Sequence, residues 1–156
     1  MTTSGKIELM APAGNFESLQ AALDNGADSV YFGVEQLNMR ARASINFTLD
    51  DLQEIARRCQ EKKVRTYLTL NTIIYDHDLS IIKTLLDKAK QAQITAVIAM
   101  DQAVIAYARQ IGMEVHISTQ INITNIETVK FYALFADTMV MSRELSLRQI
   151  KKICEQ

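Results

Sequence analysis

Polar side chains crowd one short stretch of this chain, EVHISTQINITN at residues 114–125. Val115 and Ile117 alternate there with His116 and Ser118 as in a half-buried strand. Gln120 and Asn122 follow before the next helical pattern begins. Ligand chemistry in α/β folds collects where strands end and helices start. A histidine in such a place can move a proton near neutral pH, and the hydroxyl and amide groups beside it can orient a polar substrate. Other strand ends add Asn71, Asp101 and Arg143, and a long connection after the second strand adds Arg40 and Arg42. Three guanidinium groups near several helix N-termini favour an anion such as a carboxylate or phosphate. Each group also has a structural use. His116 suits an interior histidine bonded to hydroxyls, Asp101 suits a helix cap, as does either Asn125 or Thr124, and Glu144 could pair with an arginine.

These residues are set in six strand-then-helix units. Strands are expected at 7–11, 29–32, 64–70, 96–100, from 114, and at 138–141. Helices should follow at 16–25, from 52, through 79–89, at 102–111, at 126–135 and from 147. Asn15, Asp101 and the pairs Thr48/Asp51 and Ser146/Gln149 read as N-terminal caps, with Asp76 or Asp78 serving the third helix. Gly26 and Gly112 read as stops. Such alternation means an α/β fold with a parallel sheet and helical crossovers. The first strand ends in Pro12-Ala13-Gly14-Asn15 rather than GxGxxG, which argues against a doubly wound dinucleotide fold. Units of roughly 26 residues would need about 208 for eight, within the range of a (β/α)₈ barrel. The expectation is therefore an incomplete TIM-type barrel of about six βα units spanning residues 1–156. Placing the greasier side of each strand against the helices sends Tyr31, Tyr67, Asn71, Asp101, His116, Ser118 and Gln120 inward.

Composition narrows the classes. The 156 residues carry a formal charge of −1, with 48% hydrophobic and 22% charged residues, so no global basic field draws in nucleic acid. Cys59 and Cys154 fall at apolar helix positions, with no CxxC and no Cys/His pair at ligand spacing. No metal site is expected, and the absence of a signal-like or membrane-spanning run implies a cytoplasmic protein.

Six stretches taken together resemble one family. IELMAPAG, ADSVYFG, LNMRARASINFT, TYLTLNTIIYD, VHISTQINITN and SRELSL are similar, in order, to the collagenase-like peptidase family of unknown catalytic type. The resemblance implies a TIM-like barrel. Some members are described as proteases or collagenases. Others support RNA hydroxylation, at a tRNA wobble uridine or in large-subunit rRNA, or hydroxylate ubiquinone precursors. LNMRARASINFT and SRELSLRQI look most like the tRNA 5-hydroxyuridine group, for which prephenate is implicated as co-substrate. A dicarboxylate would suit Arg40, Arg42 and Arg143 by charge. Family members continue into a cysteine-bearing segment that in several relatives holds an iron–sulfur cluster, and Cys59 and Cys154 do not match its positions.

The reading that follows is an N-terminal barrel fragment, inactive alone, of a protein that hydroxylates tRNA, with tRNA as partner of the full-length protein. A peptidase acting on proteins is the alternative, and a non-catalytic anion-binding or assembly fragment is the third. No nucleophile elbow and no HExxH is present to support peptide hydrolysis from sequence alone. Open edges at the first and sixth strands should lead the chain to self-associate or to cover them with its own helices.

Overall fold

The computed structural model describes residues 7–34 and 47–156. Six parallel strands pair in sequence order, each with the next: β1 (Met10–Pro12), β2 (Ser29–Phe32), β3 (Arg65–Leu70), β4 (Ala96–Ala99), β5 (Glu114–Ile117) and β6 (Thr138–Met139). Helices α1 (Phe16–Asp24), α2 (Leu52–Glu61), α3 (Leu79–Gln91), α4 (Gln102–Gln110), α5 (Ile126–Tyr132) and α6 (Leu147–Cys154) follow them one by one. This is the expected α/β architecture, a half-barrel of parallel βα units.

The helices start where side chains can satisfy their unpaired N–H groups. Asn15 Oδ1 accepts from Ser18 N at 2.8 Å, Asp101 Oδ1 from Ala103 N at 2.8 Å and Asn125 Oδ1 from Thr128 N at 3.0 Å. Thr48 N donates to Asp51 Oδ2 at 2.7 Å and Ser146 N to Gln149 Oε1 at 2.9 Å, so both pairs are capping boxes. Ahead of α3 the box runs from Tyr75 to Asp78. Gly26 at φ +81° ends α1 in a conformation that strains any residue with a Cβ.

Register decides which side chains meet. Phe32, Leu68, Val97 and Val115 lie side by side, as do Leu70, Ala99, Ile117 and Met139. Both rows belong to the large core beneath the helices, with Leu19, Ile55, Leu86 and Val104. The opposite face carries Tyr31, Tyr67, Ala96 and Ile98 in a separate apolar cluster. β3 and β5 thus divide as expected, but β4 is reversed: Ala96 and Ile98 face inward, and Val97 and Ala99 face the helices. An all-apolar strand has no alternation to read, and pairing of Ile98 with His116 and Thr69 sets its orientation.

Two further expectations change. β1 begins at Met10 rather than Ile7, because an edge strand with one neighbour keeps only the residues that β2 can pair. β6 is likewise only two residues long. Among the described residues no further strand pairs with β1 or β6, and Met10 of β1 is 44% exposed. Among the described residues no helix is long and apolar enough to cross a membrane.

Two outcomes are expected. Ile117→Ala, at a fully buried position, should lower unfolding free energy by roughly 2–5 kcal/mol in urea titration. The edge strands β1 and β6 should pair between copies, so sedimentation velocity of the 156-residue chain should give a weight that rises with concentration. A single monomeric species throughout would remove the edge-pairing expectation.

Candidate functional site

The inward face of the half-barrel carries more charge than its apolar strands suggest. Arg65 opens β3 and Glu114 opens β5, while Glu8 stands two residues before β1. These three come from alternate strands, as do the stacked side-chain layers of closed barrels. Arg65 Nη2 donates to both oxygens of Glu114, at 2.8 and 2.9 Å, and Nη1 reaches Glu8 Oε2 at 3.4 Å. Tyr67 donates its hydroxyl to Glu8 Oε1 at 2.5 Å, and the Arg65 guanidinium lies 5.3 Å from the Tyr67 ring centre.

His116 continues this network. Its Nε2 lies 2.8 Å from Glu114 Oε1, and its ring packs 4.6 Å from that of Tyr67. Only 6% of the histidine is exposed. A carboxylate bonded to one ring nitrogen fixes the imidazole's orientation and bears on its tautomer.

The network also changes proton affinities. Burial opposes the Glu8 charge, but the Ser29 and Tyr67 hydroxyls and the Arg65 guanidinium outweigh it and hold the carboxyl below the usual glutamate value. Burial and the bond to Glu8 push the Tyr67 phenol well up, so it remains a donor. Burial lowers the Arg65 proton affinity, but Glu114 and Glu8 more than reverse this.

The expected site residues are only partly brought together. His116 and Ser118 are buried on β5 and its C-terminal end, and Ser118 Oγ accepts from Gln120 N at 3.4 Å. Among the described residues Gln120 Oε1 and Thr69 Oγ1 are buried without a hydrogen-bond partner. Asn71 is half-buried where β3 ends. Asp101 departs from the expected pocket wall, since its carboxylate is turned to the α4 backbone as a cap. Asn122 is exposed and left-handed at φ 56°, which serves the turn leaving β5. Arg143 is exposed. Glu144 bonds Ser142 Oγ, and that hydroxyl, with the backbone, holds its carboxyl below the ordinary value. Arg40 and Arg42 lie outside the described residues.

Sequence reasoning missed Glu8, Arg65 and Glu114. Arg65 and Glu114 share the strand parity of Tyr67 and His116, so extending that inward pattern one step toward the strand starts would have found them. Glu8 needed the register of β1.

The cysteines do not fit an iron–sulfur cluster. Cys59 is buried in α2, where burial pushes its thiol up to about 11, and Cys154 is exposed on α6. A ligating sulfur must give up its proton, and no group of three or more acidic, histidine or cysteine side chains among the described residues could hold a metal.

Peptidase family U32 matches residues 14–156. A collagenase of Porphyromonas gingivalis is 54% identical over 95% of this chain and 36% of its own length. A tRNA hydroxylation protein of Helicobacter pylori is 34% identical over 94% of this chain and 36% of its own length. The chain therefore spans about a third of the length of these relatives. The similarity to the tRNA group is the weaker of the two, which corrects the expected order. Identity over the whole stretch outweighs the two segments on which that order was based. The U32 peptidase Mk0906 superposes over 99% of this chain and 67% of its own, with a TM-score of 0.77 at 14% identity, a likeness of fold.

The lowered Glu8 carboxyl gives a pH prediction. A folded-state value below the unfolded one, near 4.3, adds stability at neutral pH that is lost as pH falls through the folded value. Glu8→Gln should therefore flatten the acid side of a urea-midpoint curve recorded from about pH 7 to pH 2. An unchanged acid side would mean that the Tyr67 and Arg65 contacts contribute nothing there.

Proposed function

This chain belongs to peptidase family U32, and we propose on that premise that it supplies six strands of a collagenase-like enzyme acting on polypeptide. The observation that carries this reading is the 54% identity with the protein named collagenase, extending over 95% of the chain.

Hydrolysis of a peptide bond requires a group that takes a proton from water and returns it to the leaving nitrogen. In this reading that group is His116, oriented through Nε2 by Glu114, which Arg65 holds in turn. The water oxygen bonds to the carbonyl carbon as its proton passes to the imidazole. The C–N bond then breaks as that proton moves to the nitrogen. Ser118, Gln120 and Asn71 stand at the strand ends through which the peptide would approach, and the Gln120 oxygen, unpaired among the described residues, suits a donor from the substrate.

A second reading, tRNA wobble-uridine hydroxylation, is supported by the 34% identity with the tRNA hydroxylation protein. Prephenate and an iron–sulfur cluster belong to that reading, with the cluster's ligands supplied from outside these residues.

The test uses the purified protein containing this chain and gelatin as substrate. His116→Gln should lower kcat by roughly 100-fold or more, and Glu114→Gln should reduce it while shifting the pH profile. Circular dichroism of both variants checks that they fold. Undiminished cleavage by folded His116→Gln would remove the assigned role. Loss of 5-hydroxyuridine from the tRNA of a deletion strain, with no gelatin cleavage by the protein, would replace the polypeptide reading with the second one.

A further inference from the structure

We propose that Thr69 belongs to the reaction centre with His116, its hydroxyl holding the oxygen from which the imidazole takes a proton. The proposal rests on the polypeptide reading above, in which that oxygen is the attacking water. It assigns a residue that the reading leaves idle.

β3 carries two threonines, one on each face. Thr66, on the helix side, has a bonded hydroxyl. Its Oγ1 accepts from Thr95 N at 3.1 Å and lies 3.4 Å from Thr95 Oγ1. Thr69, on the inward side, differs: among the described residues its Oγ1 is buried without a partner. The neighbours explain why. Ile98 is its register partner on β4. On the other side β2 ends at Phe32, the partner of Leu68, and the next residue is Gly33. Neither Ile98 nor Gly33 has a side chain that can bond a hydroxyl. A β-branched side chain suits a strand, but valine would supply that shape without a polar atom that costs free energy when buried unpaired. The sheet uses the branching of Thr69 and leaves its oxygen over.

Register sets this oxygen level with the histidine. Thr69 pairs with Ile98 and Ile98 with His116, so the three form one row across the inward face. The row spans two strand spacings, roughly 10 Å between backbones, and side chains from its two ends close much of that distance. Two residues nearer the strand start, they already meet. Tyr67, whose partner on β4 is the small Ala96, packs its ring 4.6 Å from that of His116. A small group bonded to both Thr69 and His116 would complete the row above this contact.

A hydroxyl can accept and donate at once. By accepting one hydrogen of the water, Thr69 turns the other toward the imidazole and keeps its own proton. As the water oxygen bonds to the carbonyl carbon, the second proton passes to His116 and then leaves with the amine nitrogen. The hydrogen held by Thr69 stays on the oxygen that enters the new carboxyl group. Fixing the water in this way lowers the barrier by orientation rather than by charge.

The experiment compares Thr69→Val, Thr69→Ser and Thr66→Val in the protein containing this chain. Urea unfolding reads whether the hydroxyl is used by the fold. Thr66→Val should lower the midpoint, because it removes the bond to Thr95, whereas Thr69→Val should keep or raise it. Gelatin cleavage reads the role. Thr69→Val should lower kcat roughly tenfold or more with little change in KM, the worth of about one hydrogen bond in the transition state. Thr69→Ser should restore most of that loss. Added to His116→Gln, Thr69→Val should cost nothing further, since the two groups serve one step. A Thr69→Val midpoint lowered like that of Thr66→Val, an unchanged kcat, or an additive loss in the double variant would each overturn the role of Thr69 and leave that of His116 standing. A wild type without gelatin cleavage would remove the polypeptide reading and this role with it.

Discussion

Burial of one face of the sheet against its helices is the constraint from which the rest of this structure follows. Val30, Phe32, Leu68, Leu70, Val97, Ala99, Val115 and Ile117 face the helix layer and are almost wholly excluded from water. Side chains alternate along a strand, so committing these residues to one face commits their neighbours to the other. Tyr67, Thr69 and His116 are turned inward by that geometry whether or not they have work to do there. A slip of one residue in any strand would exchange the two sets, which is why the register is strongly specified.

Charge inside the sheet then needs partners. Arg65 sits between two carboxylates, and each carboxylate takes a further hydrogen bond, from Tyr67 or His116. The groups are partly exposed, at 43% for Arg65 and 30% for Glu114, so their attraction is moderated by water. Their mutual hydrogen bonds fix the histidine's orientation more firmly than they stabilise the fold. Among the described residues β1 and β6 each have a single strand neighbour, as the ends of the sheet.

Family membership and geometry bear on different parts of the function. Similarity over almost the whole chain places it in a family whose members carry both protease and RNA-hydroxylation names. Within that range, the polypeptide reading is our proposal, and it rests on the greater identity with the protein named collagenase. The basic residues that had suggested an anion are either at the surface, like Arg143, or beyond the described residues, like Arg40 and Arg42.

Much of this was readable along the chain. The order of strands and helices, the caps at Asn15, Asp101, Asn125 and Ser146, and the faces of β3 and β5 all rest on local spacing and on side chains that bond backbone within a few residues. Such features are set by the sequence itself, because the interacting groups are neighbours in it. The face of β4 was not readable, since Ala-Val-Ile-Ala has no polar member to mark a side and only its pairing with β3 and β5 orients it. Glu8, Arg65 and Glu114 lie 57 and 49 residues apart, and nothing local draws them together. Folding alone decided that contact: three strands start at one end of the sheet, and the parallel register places their inward side chains within reach of one guanidinium.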